Sequence, residues 1–586
     1  MITNTFNEEK NRINEHLINT TDDINNYFNV SDWDCNELDY NPFDISNITL
    51  YNPIYSNFDN EKKSNSIQFC HEKHIVNSNT VFSKKTNENI NKDIFIKYGP
   101  LLDPCHYMVG KYKMDDNLLS LPSSTNTNLH PKISTIHNAT YVDNFCCAII
   151  HMLNEKHNFV HGVEYYGSAL GIQKQFRMNI VDDLDYLQTH DFFQENIGHL
   201  FHTNIFTKTG FTNNALNTTY KKKEAVELGD DIVLTDFDLN NDTDSYISNR
   251  SRSSSISVNE NTKELLINSN DLQETITING NESDDSDDNS IESISDNEND
   301  NIDDDSDNCD DDNSDDEYIS NDDDSSVDEE PLYVYINNFP IQMICLSKCN
   351  DTLDSLLKQG IIDEEQGRSA LFQIVMILLT LQKSFHFTHN DLHTNNVMFS
   401  NTDNEYLYYQ YNNKTYKVPT YGRIYKLIDF GRAILSYNGI TYCSDSFKDD
   451  GDANGQYNYE PFYDSTKKRI EPNMSFDLCR LACSIYDFII EDEMEKSNMD
   501  GFQQIIYEWC HDDNNKNILY KKNGNERYPN FKLYKMIARL VHKHVPKQQL
   551  SRDFFKVYKL DDDMSITDAI TKDNCFINID NIQSYV

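Results

Sequence analysis

His389 to Asn396 reads HNDLHTNN and follows directly on Ser369 to Phe385, SALFQIVMILLTLQKSF, a segment apolar nearly all round. Such a pattern marks a buried helix rather than a surface one, so the polar string leaves from the interior of the fold. Asp429-Phe430-Gly431 comes 38 residues after Asp391. Val397-Met398-Phe399 and Tyr425-Lys426-Leu427-Ile428 read as short strands on either side. Between them YLYYQYNNKTYKVPT reads as a tyrosine-rich hairpin turning at Asn412-Asn413, because Asn tolerates the positive φ that such turns require. The plain reading of Asp391 and Asn396 is a polar turn closing a helix. A second acidic turn, in order and at workable spacing, favours a site built from both.

Together the two motifs resemble those of the protein-kinase-like superfamily, in which a catalytic loop H-R-D-L-x-x-x-N precedes a metal-binding D-F-G turn. The resemblance covers about Ser66 to Ile180 and Pro331 to Leu560. It implies an α+β, bilobal fold with a β-rich N-lobe and a helical C-lobe, using ATP and Mg²⁺. A transferred phosphoryl group passes through a loose, highly charged transition state, so the protein mainly positions the nucleophile and holds magnesium against phosphate oxygens. By this resemblance Asp391 orients the acceptor hydroxyl and takes its proton. Asn396 and Asp429 offer the hard oxygens that magnesium prefers. His389 is expected to pack under Phe430, with Gly431 completing the turn.

Upstream, Ile94-Phe95-Ile96-Lys97 has the pattern of the V-A-I-K strand, whose lysine pairs with the α- and β-phosphates. Ile341 to Leu346 resembles the last N-lobe strand, SKCNDT the hinge that would meet adenine, and LDSLLKQ the first C-lobe helix. Downstream, Asp477 opens DLCRLACSIY, which resembles the helix beginning D-x-W-S-x-G; its aspartate is expected to accept backbone N–H bonds from the His389 region. The set IFIKYGPLLDP, HGVEYYGSALG, HNDLHTNNVM and LIDFGRA also resembles uncharacterised kinase-like proteins of large DNA viruses of protists. Heavy use of Asn, Asp, Ile, Lys and Tyr agrees with an A/T-rich coding genome.

The pattern is departed from in several places. HEKHIVNSNTVFSKKTNENINKD, ahead of Lys97, contains no glycine, so close backbone cradling of phosphates is not provided for. The amphipathic segment Tyr141 to Lys156 lies where the helix bearing the lysine's acidic partner belongs, yet Ala148 to His151, the expected position, holds no acid; Asp143 is a weak substitute. Asn390 replaces the arginine that clasps a phosphorylated activation loop, since a neutral amide supplies neither that charge nor the fork geometry. Control through Ser436, Thr441, Ser444 or Ser446 is therefore not expected. His393 stands where most Ser/Thr kinases carry lysine. Three readings stay open: a protein kinase acting on Ser or Thr of an unknown protein substrate, a small-molecule phosphotransferase like the aminoglycoside and choline kinases, and an inactive kinase-fold scaffold.

Composition divides the 586 residues. Residues 1–65 are Asn-rich and expected to be partly disordered; 66–180 and 331–346 form the N-lobe, 347–560 the hinge and C-lobe, and 561–586 a tail. Between them 181–330 reads as an insertion, and within it 271–330 carries 27 acidic residues and no Lys or Arg, against a net charge of −47 for the whole chain. Self-repulsion and lack of apolar residues predict disorder there. The tract reads first as a solvated linker and second as a landing surface for a basic protein. Such acidity argues against nonspecific nucleic-acid binding. Thirteen cysteines show no paired framework. Cys479 and Cys483 share a helical face at i and i+4, which suits core packing better than zinc because no second Cys/His pair accompanies them. No apolar run approaches the roughly 20 residues a membrane helix needs, and no secretory segment opens the chain. An intracellular location, host cytoplasm or virion for a viral protein, is the expectation.

Lengthening a surface loop costs little, about 0.6 kcal/mol per doubling. Deleting residues 271–330 should accordingly leave the melting temperature of the protein nearly unchanged in scanning calorimetry. A fall of ten degrees or more would place a structural element inside the tract.

Overall fold

The structure, a computed structural model, describes residues 30, 33, 40–54, 72–203, 332–560 and 575–586, save 115–116, 124–125, 127–128, 182 and 492–494. The chain mixes β-sheets with helices. Its first part contains β1 (Ile45–Thr49), a meander of β2 (Lys73–Asn77), β3 (Thr80–Ser83) and β4 (Glu88–Asn91), then β5 (Ile94–Pro100). Helix α1 (Ala139–His157) follows, then β6 (Tyr165–Asn179), β7 (Phe201–Thr203) and β8 (Tyr333–Ser347). One antiparallel sheet runs in the order β1-β6-β8-β5, with β7 also paired to β8. The second half of β8, Phe339 to Leu346, is buried on both faces.

Two glycines set how closely neighbours approach this sheet. A Cβ on Gly99 of β5 would stand 2.3 Å from Thr140 Cγ2 at the start of α1. The absence of that carbon lets the helix lie directly on the strand that carries Lys97, and Thr140 Oγ1 seals the contact by donating to Pro100 O at 2.7 Å. On the other edge, a Cβ on Gly171 would stand 2.3 Å from Ile45 Cγ2, so β1 also depends on a missing side chain. Helix α1 is capped by Asn138, whose side chain accepts from Thr140 N, and ends at Asn158 in a left-handed conformation, φ 54°.

The second part is richer in helices. Here β9 (Asp351–Thr352) leads to α2 (Leu353–Lys358) and α3 (Glu364–Phe385). Asp363 caps α3, with Glu364 and Glu365 in its first turn, where negative charge suits the helix dipole. Ala370 to Leu381 are all buried, as the all-round apolar pattern predicts. The strands β10 (Val397–Asn401), β11 (Tyr406–Tyr411), β12 (Lys414–Pro419) and β13 (Arg423–Leu427) follow. β10 pairs with β13, and β11 with β12. The β11–β12 turn has Asn412 at φ 51° and Asn413 at φ 55°, a turn whose two central residues match the right-handed strand twist. Phe372 of α3 meets the rings of Tyr409 and Tyr416 from this hairpin, and Tyr409 OH bonds His161 Nε2 at 2.7 Å. Then come β14 (Ile434–Tyr437), β15 (Ile440–Cys443), α4 (Phe476–Ile489), α5 (Gly501–Trp509), α6 (Lys532–Leu540) and β16 (Phe576–Asn578).

Three segments outside the expected lobes supply strands. The 1–65 stretch supplies β1 to the sheet. The expected insertion from 181 begins folded: β7 pairs with β8 from Phe201↔Ile336 to Thr203↔Val334, and Phe193 stacks on Phe201 at 5.1 Å. The expected tail supplies β16, parallel to β11. In each case a short segment with little periodicity of its own gains order from a strand far away in sequence. The acidic tract 271–330 lies outside the described residues. The glycine-free stretch before Lys97 forms the meander, tied down by Lys73 to Glu164 at 2.5 Å; among the described residues β5 pairs only with β8. Cys479 and Cys483 are buried in α4. No helix among the described residues is long and apolar enough to cross a membrane.

Candidate active site

A buried carboxylate organises the loop after α3. Asp477, second residue of α4, accepts from His389 N at 2.9 Å and from Asn390 N at 2.8 Å. Burial pushes its pKa up, against the pull of His389 and those N–H groups. Asn390 takes a left-handed backbone, φ 65°, and its amide is fully used. Nδ2 donates to Thr388 O, Thr388 Oγ1 and Arg432 O, while Oδ1 accepts from Tyr457 OH at 2.8 Å. His389 Nε2 lies 2.9 Å from Ile428 O, and its ring sits 5.4 Å from that of Phe430. Through these bonds the loop and the Asp429-Phe430-Gly431 turn form one unit. Asp429 itself is held at φ 62°, a conformation of a non-glycine residue that persists only where its surroundings over-determine it.

Two oxygens in this unit have no hydrogen-bond partner. Asn396 Nδ2 donates to Asp391 O at 3.0 Å, which turns Oδ1 the other way, and that oxygen is buried and unpartnered. Asp429 Oδ1 meets Lys97, while its Oδ2 is likewise buried and unpartnered. Leaving a buried acceptor unsatisfied costs about 1–3 kcal/mol. One neutral and one anionic hard oxygen are the donor set that Mg²⁺ takes when it is shared with phosphate, so these residues fit the ion.

Lys97 lies between two carboxylates, Asp143 Oδ2 and Asp429 Oδ1, each at 2.8 Å. Burial alone would lower its pKa, but the two anions outweigh that and raise it well above the usual lysine value. Asp143 Oδ1 also accepts from Phe430 N at 2.8 Å. The residue read as a weak substitute is thus the partner of Lys97. The expected position, Ala148 to His151, lies more than a turn further along α1. The close approach at Gly99 brings the beginning of the helix, not its middle, over β5, and residue spacing alone does not report which turn faces the strand.

Asp391 is 7% exposed, and both its oxygens are engaged. Oδ1 accepts from Tyr534 OH at 2.7 Å, and Oδ2 lies 3.3 Å from Arg432 Nη1. Arg432 is shared with Asp452, Nη2 to Oδ2 at 3.0 Å. Burial pushes the Asp391 pKa up, but Arg432, followed by His393, Arg480 and the Tyr534 hydroxyl, holds it down to about 2. His393 is buried beside this carboxylate. The hydroxyls that follow the Asp429-Phe430-Gly431 turn are taken up in structure: Ser436 and Thr441 face each other across β14–β15 at 3.3 Å, and Ser444 and Ser446 are buried and bonded together. Sequence reasoning missed Tyr534, Asp452 and the engagement of Arg432 with Asp391. Arg432 at least follows the D-F-G turn; nothing local marks Tyr534.

No family model matches the chain. Partial similarity to individual proteins is found. The serine/threonine-protein kinase haspin of Mus musculus is 35% identical over 96 residues, 16% of this chain and 13% of haspin. Haspin of Bos taurus is 34% identical over 94 residues, 16% of this chain and 12% of that protein. A protein of Acanthamoeba polyphaga mimivirus, whose name assigns it provisionally to the serine/threonine-protein kinases, is 30% identical over 138 residues, 22% of this chain and 32% of its own. The chain therefore spans about an eighth of the haspins' length and about a third of the viral protein's. Over these stretches it is similar to serine/threonine-protein kinases.

The shared lysine generates a thermodynamic prediction. Asp143→Asn should lower stability by about 1.5–3 kcal/mol, the range for losing a hydrogen bond to a charged group. Combined with Lys97→Met in a double-mutant cycle, it should show a coupling of at least about 1 kcal/mol; additive effects in chemical denaturation would separate the two residues.

The Asp391 carboxylate generates a pH prediction. Its folded pKa of about 2 lies below the unfolded value of about 3.9, so it adds stability that is present above roughly pH 4 and is lost as pH falls toward 2. Wild type should lose stability faster than Asp391→Asn across that window in acid unfolding. Parallel curves would mean the carboxylate is not held by Arg432.

Proposed function

We propose that the protein is an ATP-dependent protein kinase with the bilobal kinase arrangement, the sheet carrying Lys97 and helix α1 forming the N-lobe and the segment after β8 the hinge and C-lobe. The observation that carries the proposal is the pair of unpartnered buried oxygens, Asn396 Oδ1 and Asp429 Oδ2. They belong to a cluster that also holds Lys97, a cation suited to phosphate, and whose loop carries Asp391, a carboxylate suited to a hydroxyl. The names of the partly similar proteins support a Ser/Thr hydroxyl as acceptor.

Each residue then has a task. Asn396 and Asp429 would hold magnesium, which when bound neutralises charge on the phosphate oxygens. Lys97, kept protonated by Asp143 and Asp429, supplies positive charge to the α- and β-phosphates in place of part of that carboxylate pairing. Asp391, whose carboxyl Arg432 keeps ionised down to about pH 2, orients the acceptor hydroxyl and accepts its proton as the γ-phosphoryl group leaves ADP. Asp477 and Asn390 fix the loop so that no reorganisation is needed at that moment. A second reading, a small-molecule phosphotransferase, draws on His393 beside Asp391. A third, an inactive scaffold, draws on the missing phosphate-cradling glycines and on β5 as the last paired strand. We place the protein inside the cell, host cytoplasm or virion if viral, with the acidic tract 271–330 free to meet a basic protein.

Incubation with γ-labelled ATP and mixed protein and metabolite pools should put label on Ser or Thr of protein. Asp391→Asn should cut transfer by about 10²–10⁴-fold, the usual contribution of a positioned base, while Mg·ATP still raises the melting temperature. Asp429→Asn should instead abolish that thermal shift. Label confined to metabolites would favour the small-molecule reading; equal turnover in wild type and Asp391→Asn would leave only the scaffold.

A further inference from the structure

The contact between Tyr534 and Asp391 has no part in holding nucleotide or metal. The phenolic O–H donates to Asp391 Oδ1 at 2.7 Å, and this is the bond that an acceptor hydroxyl must itself make before it loses its proton. Resting on the kinase reading above, we propose that Tyr534 occupies the acceptor-hydroxyl position, and that a substrate enters by displacing it. Tyr534 is a built-in competitor of the acceptor, not of ATP.

The surroundings suit a ring that is held but removable. Tyr534 stacks on Phe531 with centroids 5.1 Å apart and planes 22° apart, and its ring meets Phe476 at 6.0 Å. The guanidinium groups of Arg480 and Arg432 lie 4.9 and 5.5 Å from its centroid. The residue is 9% exposed, so a macromolecular acceptor cannot reach Asp391 Oδ1 past it. Helix α6, which carries it, is bonded through its backbone carbonyls to Asn473 at its C-terminal end. Asn473 Nδ2 donates to Ile537 O, Ala538 O and Val541 O, the last at 2.6 Å. At the N-terminal end Phe531 gives no side-chain cap, so the first turn, of which Tyr534 is the third residue, depends on the packing and bonding of that ring and can shift when they are lost. Arg432 ties the same carboxylate to Asp452 on the segment after β15, so Asp391 keeps a partner when the phenol leaves.

Tyr534→Phe keeps the stacked ring and removes only the hydroxyl. With a Ser/Thr peptide library as acceptor, we expect its acceptor KM to fall about fivefold or more, kcat to hold or rise, and the KM for Mg·ATP to stay within twofold. Acceptor-free hydrolysis of Mg·ATP should rise severalfold, because water gains the vacated position. If kcat falls while acceptor KM is unchanged, Tyr534 positions Asp391 and the proposal is overturned; unchanged parameters overturn it equally. Should this variant fail to fold, Phe531→Leu, which removes the supporting ring, must show the same fall in acceptor KM. Wild type that neither transfers phosphate nor is stabilised by Mg·ATP defeats the kinase reading and this inference with it, whereas active wild type with a slower Tyr534→Phe defeats this inference alone.

Discussion

Lys97 between Asp143 and Asp429 is the interaction on which the site depends. It joins three elements that no local contact would bring together: the strand β5, the first turns of α1, and the turn after β13. Two buried carboxylates against one ammonium leave an excess negative charge, and unpaired buried charge is costly. The protein meets part of that cost with Phe430 N, which donates to Asp143. The rest falls on Asp429 Oδ2, which has no hydrogen-bond partner. A divalent cation shared with phosphate relieves the imbalance, so the electrostatics that strain the free protein favour the complex.

The geometry behind this interaction is set by packing far from the chemistry. Gly99 lets α1 approach β5, and only that approach brings Asp143 within reach of Lys97. On the opposite side, Asp477 fixes His389 and Asn390, while Asn390 binds the backbone at Arg432. Asn390 thereby ties loop to turn with an amide, where an arginine would have left a charge needing a partner. The turn is thus held by the Asn390 amide and by Phe430 N on Asp143, with the Arg432 guanidinium spent on Asp391 and Asp452.

Much of the helix-rich part was legible in residue order. The all-round apolar run of α3, the two strands beside the loop and the Asn412-Asn413 turn follow from local periodicity and backbone preference, which neighbouring residues decide. The polar residues Lys97, Asp391, Asn396, Asp429 and Asp477 stood out for the same reason, as short motifs with local signals, and the structure brings them together. What escaped depends on long-range pairing. β1, β7 and β16 are three to five residues long and are ordered by strands distant in sequence, so their own patterns carry little weight. Asp143 was read only as a weak substitute because periodicity identifies the buried face of a helix but not the turn that meets a partner. Tyr534 lies 143 residues beyond Asp391 with no motif around it, and only the packed structure shows the two in contact.

A crystal structure of the protein with Mg²⁺ and a non-hydrolysable ATP analogue should show a metal ion at about 2.0–2.1 Å from Asn396 Oδ1 and Asp429 Oδ2, with Lys97 turned onto the phosphates and Asp143 still beside it. Nucleotide bound elsewhere, or absent at saturating concentration with both oxygens still unpartnered, would contradict this reading of the site.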